Sequence, residues 1–274
     1  MRRNATTIVI LLLAMASANP VWANKDNAAP PPDPTQDALM LTAGFLNGHP
    51  DLRFRLLALE KRQAGKLDDA FKFFQRAAYY GDKPSQGMVA EMLWNGTGIE
   101  QDKAAAYAWM DLAAERGYEG FLELRERYWA GLDEAQRERA IVLGQDIYAR
   151  YGDDAALPRI ANEIRRERKN VTGSRTGFAG NVKIYVPGPA GSMEQIDATK
   201  FYDDRYWDPK QYLAWHDAIW MKPRVARVDV GSVEQVPATP EKRSRIPEVA
   251  PQVDAPEPVT EDAMPQLHDD AGKR

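Results

Sequence analysis

The chain contains no cysteine. That removes a disulfide framework, a thiolate nucleophile, and the lipid-carrying cysteine that a bacterial lipoprotein needs just after its signal. Histidine is nearly as scarce, with His49, His216 and His268 the only three in 274 residues. Neither the metal-binding pair H-E-x-x-H nor the nucleophile elbow G-x-S-x-G occurs. The Gly-rich stretch T-G-S-R-T-G at 172–177 follows no strand and lacks the lysine of a phosphate-binding loop. No Lys/Arg stripe stands out on a chain of net charge −4, so nucleic acid is not an expected ligand. The one dense basic run, Arg165 to Lys169, falls at the end of an expected helix, where cations complement the macrodipole.

Long apolar runs are also missing. The longest, Thr7 through Ala16, is too short to span a bilayer comfortably. It follows Arg2 and Arg3 and precedes Val21-Trp22-Ala23, so residues 1–23 read as a secretory signal peptide. Removing its two arginines takes the net charge from −4 to −6. A periplasmic or secreted protein is expected, with no stable membrane insertion after cleavage. Residues 24–36 (NKDNAAPPPDPTQ) read as a proline-rich linker. At the far end, residues 233–274 hold seven prolines, nine acids and five Lys or Arg. That composition predicts a disordered, solvated tether, because it offers too little apolar surface to offset ordering entropy.

Between these ends, Ala70, Phe73, Ala77, Ala78 and Gly81 recur as Ala106, Trp109, Ala113, Ala114 and Gly117, at a constant offset of 36 residues. A fixed period in the thirties is the mark of stacked helix pairs, since one pair cannot bury its apolar face alone. The alanines permit close helix approach and the aromatic fills the gap. Gly81 and Gly117 are placed to end helices in left-handed C-caps.

From Ser85 to Gly117 the chain reads S-x3-V-A-x2-L-x2-G-x-G-I-x2-D-x3-A-x2-W-x3-A-A-x2-G. This resembles the Sel-one-like repeat, a tetratricopeptide-like family of helix-pair solenoids. Ser85, Val89, Ala90, Leu93 and Ile99 replace the family's Ala, Leu, Gly, Tyr and Val, all small or apolar exchanges. Gly96 and Gly98 suit a tight inter-helix loop, Ile99 is expected to tuck into the core, and Asp102 to cap the next helix. The expected fold is therefore all-α: a short solenoid of antiparallel helix pairs over 37–168, its best repeats in 51–117, with a last unit from Phe121 to about Gly152. Acid pairs Asp68-Asp69 and Asp153-Asp154 stand at expected helix starts, where carboxylates cap amides.

Residues 169–232 form an aromatic-rich extension of mixed structure. Val182–Val186 alternates as a strand and is expected to pair with Arg224–Val230, which alternates likewise. Asp208-Pro209 opens an amphipathic helix carrying Tyr212, Trp215, Ile219 and Trp220, expected to dock on the last repeat helices. Asp203, Asp204, Asp208 and Asp217 with His216 match no metal-ligand spacing and read as solvated. No catalytic residue, metal or cofactor is assigned.

The resemblance implies protein or peptide binding, so the expectation is a non-enzymatic adaptor for an unidentified envelope protein or peptide. By analogy with groove-lining positions of tetratricopeptide arrays, Arg55, Arg62, Glu91 and Trp94 are the partner-binding residues. Packing of Trp94 under the neighbouring loop is an equal reading. The alternative function is a glycan-binding module or hydrolase of the cell envelope using the aromatic insert 201–221, and a third is self-association through an uncapped end.

Overall fold

The computed structural model describes residues 43–172, 183–187, 193–197, 201–221 and 243–259. The expected signal peptide, the linker and the strand candidate at 224–230 lie outside them. Helices dominate and pack as adjacent pairs. They run α1 (Ala43–Gly48), α2 (Pro50–Gln63), α3 (Leu67–Tyr79), α4 (Lys83–Asn95), α5 (Lys103–Ala113), α6 (Glu119–Ala130), α7 (Glu134–Tyr151) and α8 (Asp153–Thr172), followed later by α9 (Asp204–Trp207) and α10 (Pro209–Trp220). A two-stranded antiparallel ribbon joins β1 (Lys183–Pro187) to β2 (Met193–Asp197), with Tyr185 opposite Gln195. The strand at 183–187 thus takes a partner only a few residues downstream, because a short hairpin closes far less chain than a pairing with 224–230.

The repeated residues do what their chemistry suggests. Ala70, Ala77, Ala78, Ala106, Ala113 and Ala114 are all buried, and Trp109 fills space beside Tyr151 at a ring separation of 4.6 Å. Gly81 and Gly117 adopt φ of 82° and 76°. Asp102 caps α5, its carboxylate accepting from the Ala105 amide at 3.0 Å, and Asp82 caps α4 by accepting from the Ser85 amide at 3.1 Å. Asp133 and Gln136 form a reciprocal capping box at the start of α7.

Three local expectations fail for identifiable reasons. Ile99 is 38% exposed rather than tucked in, since the loop between Gly96 and Gly98 lies against Leu67 through its backbone. Asp68 and Asp69 sit in the first turn of α3 without capping it. Asp153 spends its carboxylate on Lys83 and Arg116, at 3.1 and 2.7 Å, instead of on amides.

Two cores result. The larger gathers the helix-pair residues, among them Phe74, Val89, Tyr107, Leu112 and Ala140. The smaller joins Phe45 of α1, Leu52 of α2, Ile160 and Ile164 of α8 to Phe201, Trp207, Trp215 and Ile219. The aromatic helix α10 does pack against α8, but that helix also lies on α1 and α2, so the extension seals the first pair as well as the last. A strictly linear stack contacts only its neighbours, and α8 departs from that rule.

Residues 243–259 overturn the expectation of a wholly disordered tail. They lie without helix or strand across α3, α5, α6, α7 and α8, with Ile246 buried. The remainder of the tail, including His268, lies outside the described residues.

Candidate functional site

The four expected partner residues are not brought together as a free surface. Arg55 is 5% exposed, its guanidinium 3.4 Å from the buried Asp82 carboxylate. Trp94 stacks on Tyr128 at 4.1 Å and 12°, packs against Gly131, and has the Lys103 ammonium over its ring at 5.3 Å. It is a packing residue. Arg62 and Glu91 are exposed, and Arg62 reaches the Met88 sulfur at 3.9 Å. A polar residue on a first repeat helix is buried here because the 201–221 extension covers α1 and α2. The rings of that extension are themselves spent on packing: Phe201, Trp207, Tyr212 and Trp215 are at most 6% exposed.

What the helices do present is a face occupied by the chain's own segment. At one end Ser244 donates to the buried Asp111 carboxylate, which also accepts from the Tyr148 hydroxyl at 2.9 Å. Burial pushes the Asp111 pKa up, against the hydroxyl bonds and the Arg125 and Arg245 charges. Arg245 forks onto Glu126 at 2.9 and 2.6 Å and lies 4.9 Å over the Trp129 ring. Ile246 fills the space above Gly144, where an added Cβ would stand 2.3 Å from its Cδ1. Further along, backbone carbonyls are captured one after another. Arg159 donates to those of Gln252 and Val253, the Tyr79 hydroxyl to Ala255 at 2.6 Å, and Arg150 to Pro256. Glu257 closes the run by pairing with Arg76 at 2.7 Å and accepting from the Tyr80 hydroxyl at 3.1 Å.

A second constellation lies where α2, α4 and α10 meet. Asp51, in the first turn of α2, accepts from the Tyr212 hydroxyl at 2.7 Å through Oδ2. Asp82, the cap of α4, accepts from the Ser85 amide and hydroxyl through its own Oδ2, the latter at 2.5 Å. His216 of α10 sits beside them, and one potential ligand atom from each of the three lies within 4.8 Å of the others. All three are buried, at 3%, 2% and 7% exposure. The reading of His216 as a solvated surface histidine is therefore corrected. Its neighbours are acids from distant helices, not Asp203, Asp204 or Asp208.

Electrostatics in this cluster follow from burial. The Asp51 carboxyl is raised to about 7, first by desolvation and then by the Asp82 charge. His216 is pushed well below its ordinary value by burial and by the Arg55 and Arg116 charges. The neighbouring His49 has both ring nitrogens 2.8 Å from carbonyls, of Phe45 and Tyr206, yet burial lowers its pKa to about 4. Asp51, Arg116, Pro158, Lys210, Tyr212 and His216 help line a cleft of about 430 Å³. Behind it Arg116 holds Asp153 and stands 3.9 Å from Asp217, which accepts from the Tyr118 hydroxyl at 2.5 Å.

Sequence reasoning missed both constellations. Asp82 is legible as a helix cap, but nothing marks it or Asp51 as neighbours of a histidine so far along the chain. Ile246, Val249 and Val253, buried or half-buried here, are the signal in the proline-rich tail that it had something to bury. No family model, no curated protein and no solved structure matches the chain. Among the described residues no helix is long and apolar enough to cross a membrane.

Proposed function

We propose that this chain is an exported, non-enzymatic adaptor, built as a short Sel-one-like array of helix pairs, that holds extended proline-containing polypeptide. The observation that carries the reading is the docking of residues 243–259. Proline supplies no N–H, so Pro247, Pro251, Pro256 and Pro258 leave this segment with more carbonyl acceptors than amide donors. The helices answer with donors: Arg159, Tyr79 and Arg150 take up four of its carbonyls. Side-chain selectivity comes from the Gly144 recess for Ile246 and the Glu126–Trp129 clamp for Arg245. Recognition of extended chain by a carbonyl-reading face with a few side-chain recesses is a recurring mode of peptide binding. The tail is then the resident occupant, and a partner segment of similar character competes for the same face. The periplasm or the outside of the cell is the proposed place of action, on the strength of the N-terminal signal pattern.

The test uses the full chain with Arg245→Glu and Ile246→Asp, which repels Glu126 and buries a charge against Gly144, so the tail is unseated. A labelled peptide of residues 243–259 is then added and its fluorescence anisotropy followed. Binding to the double variant, with little to the native chain, supports the adaptor. Equal failure of both to bind, with the double variant still folded by circular dichroism, removes the face as a peptide site.

A further inference from the structure

We infer that Asp51, Asp82 and His216 form a binding site for a divalent transition-metal cation such as zinc. The inference is independent of the peptide-holding role, since the cluster lies on α2, α4 and α10 and shares none of the residues that hold the tail.

The arrangement of the two carboxylates is the first argument. Each commits Oδ2 to an orienting hydrogen bond, from the Tyr212 hydroxyl in one case and from Ser85 in the other. Each therefore keeps Oδ1 for something else. Asp51 Oδ1 and His216 Nε2 are buried without a hydrogen-bond partner among the described residues, and Asp82 Oδ1 has only the Arg55 guanidinium at 3.4 Å. A buried polar atom left unsatisfied costs about 1–3 kcal/mol. Two such atoms, and a third that has only an ion pair, belong to side chains from three separate helices that bring one potential ligand atom each within 4.8 Å of the others, a cost that one ion would relieve.

Chemistry selects the class of ion. Two carboxylate oxygens and one imidazole nitrogen are borderline ligands, suited to zinc and its first-row neighbours and poor for calcium, which takes six to eight oxygens. Arg55 offsets one carboxylate charge, so both acids are needed to hold a dication here. Asp51 and His216 also line the 430 Å³ cleft. An ion held there would be within reach of water or a small ligand from the cleft, as in exchangeable zinc sites. Hydrogen bonds to the second oxygen of a ligating carboxylate are the usual means of aiming it. Tyr212 and the Ser85 turn serve as those positioning groups.

The probe is cobalt, which takes zinc's place and absorbs visible light in a tetrahedral site. The full chain, stripped with chelator, is titrated with Co2+ and then displaced with Zn2+. One cobalt per chain, an intense visible band, its loss on zinc addition and a rise in Tm with either metal are expected. His216→Gln removes the band. Tyr212→Phe deletes only an orienting hydroxyl and weakens binding by about 10- to 100-fold, as losses around metal ligands do. Should His216→Gln fail to fold, Tyr212→Phe decides alone. Absence of a stoichiometric band in the native chain, or cobalt binding by folded His216→Gln or Tyr212→Phe as tight as the native chain's, overturns the assignment.

Discussion

Replacing Gly144 by alanine sets two effects of opposite sign against each other, at a position where they report on different parts of the molecule. Gly144 lies inside α7, where alanine is worth about 1 kcal/mol more than glycine to the helix. Its new Cβ, however, would stand 2.3, 2.7 and 3.0 Å from three carbons of Ile246. Those carbons belong to a residue in a segment without helix or strand, so the clash should be relieved by moving the segment, not the helix. Ile246 is 6% exposed, and burying such a side chain contributes about 1.5–3 kcal/mol. Losing that anchor raises the open population of the segment roughly 10- to 100-fold, at 1.4 kcal/mol per tenfold. Hydrogen exchange at two amides reads this directly. Ile246 N–H donates to the Ser244 hydroxyl at 2.9 Å, and Gln252 N–H to the Ala149 carbonyl at 2.6 Å. Both should exchange faster by that factor while the unfolding midpoint of the helices stays level or rises. Ile246→Ala alone should speed exchange similarly, and the two changes together should be less than additive, because the smaller side chain leaves room for the new methyl. Unchanged exchange in Gly144→Ala, or full additivity in the pair, would show that the segment is not seated where the structure puts it.

Gly98→Ala should cost about 2–4 kcal/mol by urea denaturation, since φ is +75° and the added Cβ would meet Leu67 Cβ at 2.3 Å and its carbonyl carbon at 2.8 Å. Gly117→Ala, with φ of +76° but nothing within 4 Å, should cost only about 1 kcal/mol. Equal losses would remove the steric argument. Asp102→Ala removes the α5 cap and the bidentate pair to the exposed Arg139, at 2.8 and 2.6 Å, for about 1–2 kcal/mol. Asp102→Asn keeps the cap and should recover most of that, and a thermal melt showing no difference between the two would mean the cap contributes little. Burial alone would raise the Asp153 pKa, but Lys83 and Arg116 outweigh it and hold the carboxyl well below the usual range. A depressed folded-state pKa means stability that is fully present above the unfolded value of about 3.9 and is lost as pH falls below it. Chemical denaturation between pH 5 and pH 2 should show that fall in the native chain and a shallower one in Asp153→Asn. Parallel slopes would contradict it.

Local features were legible because they depend on a few adjacent residues. A proline-opened helix after Asp208, a capping aspartate three residues before the amide it binds, and a glycine at the one position needing positive φ leave the same trace wherever they occur. The 36-residue recurrence extended that reach to helix pairing, since Ala77-Ala78 and Ala113-Ala114 are small for the same reason in both copies. Ile99 was misjudged because a single apolar residue in a glycine loop has no periodicity to say which way it faces. Of the two readings of Trp94, the stack on Tyr128 fits the packing one, and that partner could not be named beforehand because it lies on a helix outside the repeated pattern.

The tail shows the limit most clearly. Composition correctly registers how little apolar surface residues 243–259 own, but order there comes from donors on other helices, Arg159 and Tyr79 above all, which composition of the tail cannot register. The same holds for Asp51, Asp82 and His216, which are unremarkable acids and one histidine until α2, α4 and α10 meet. By itself the sequence determined the helical character of the chain, several helix ends and the pairing of adjacent helices, since those rest on short-range sterics and a repeated packing code. Only the tertiary structure decided that α8 returns to the first pair, that the tail is seated, and that three polar side chains share one buried volume. Such contacts join residues remote along the chain, and their energy depends on where the whole backbone has already gone.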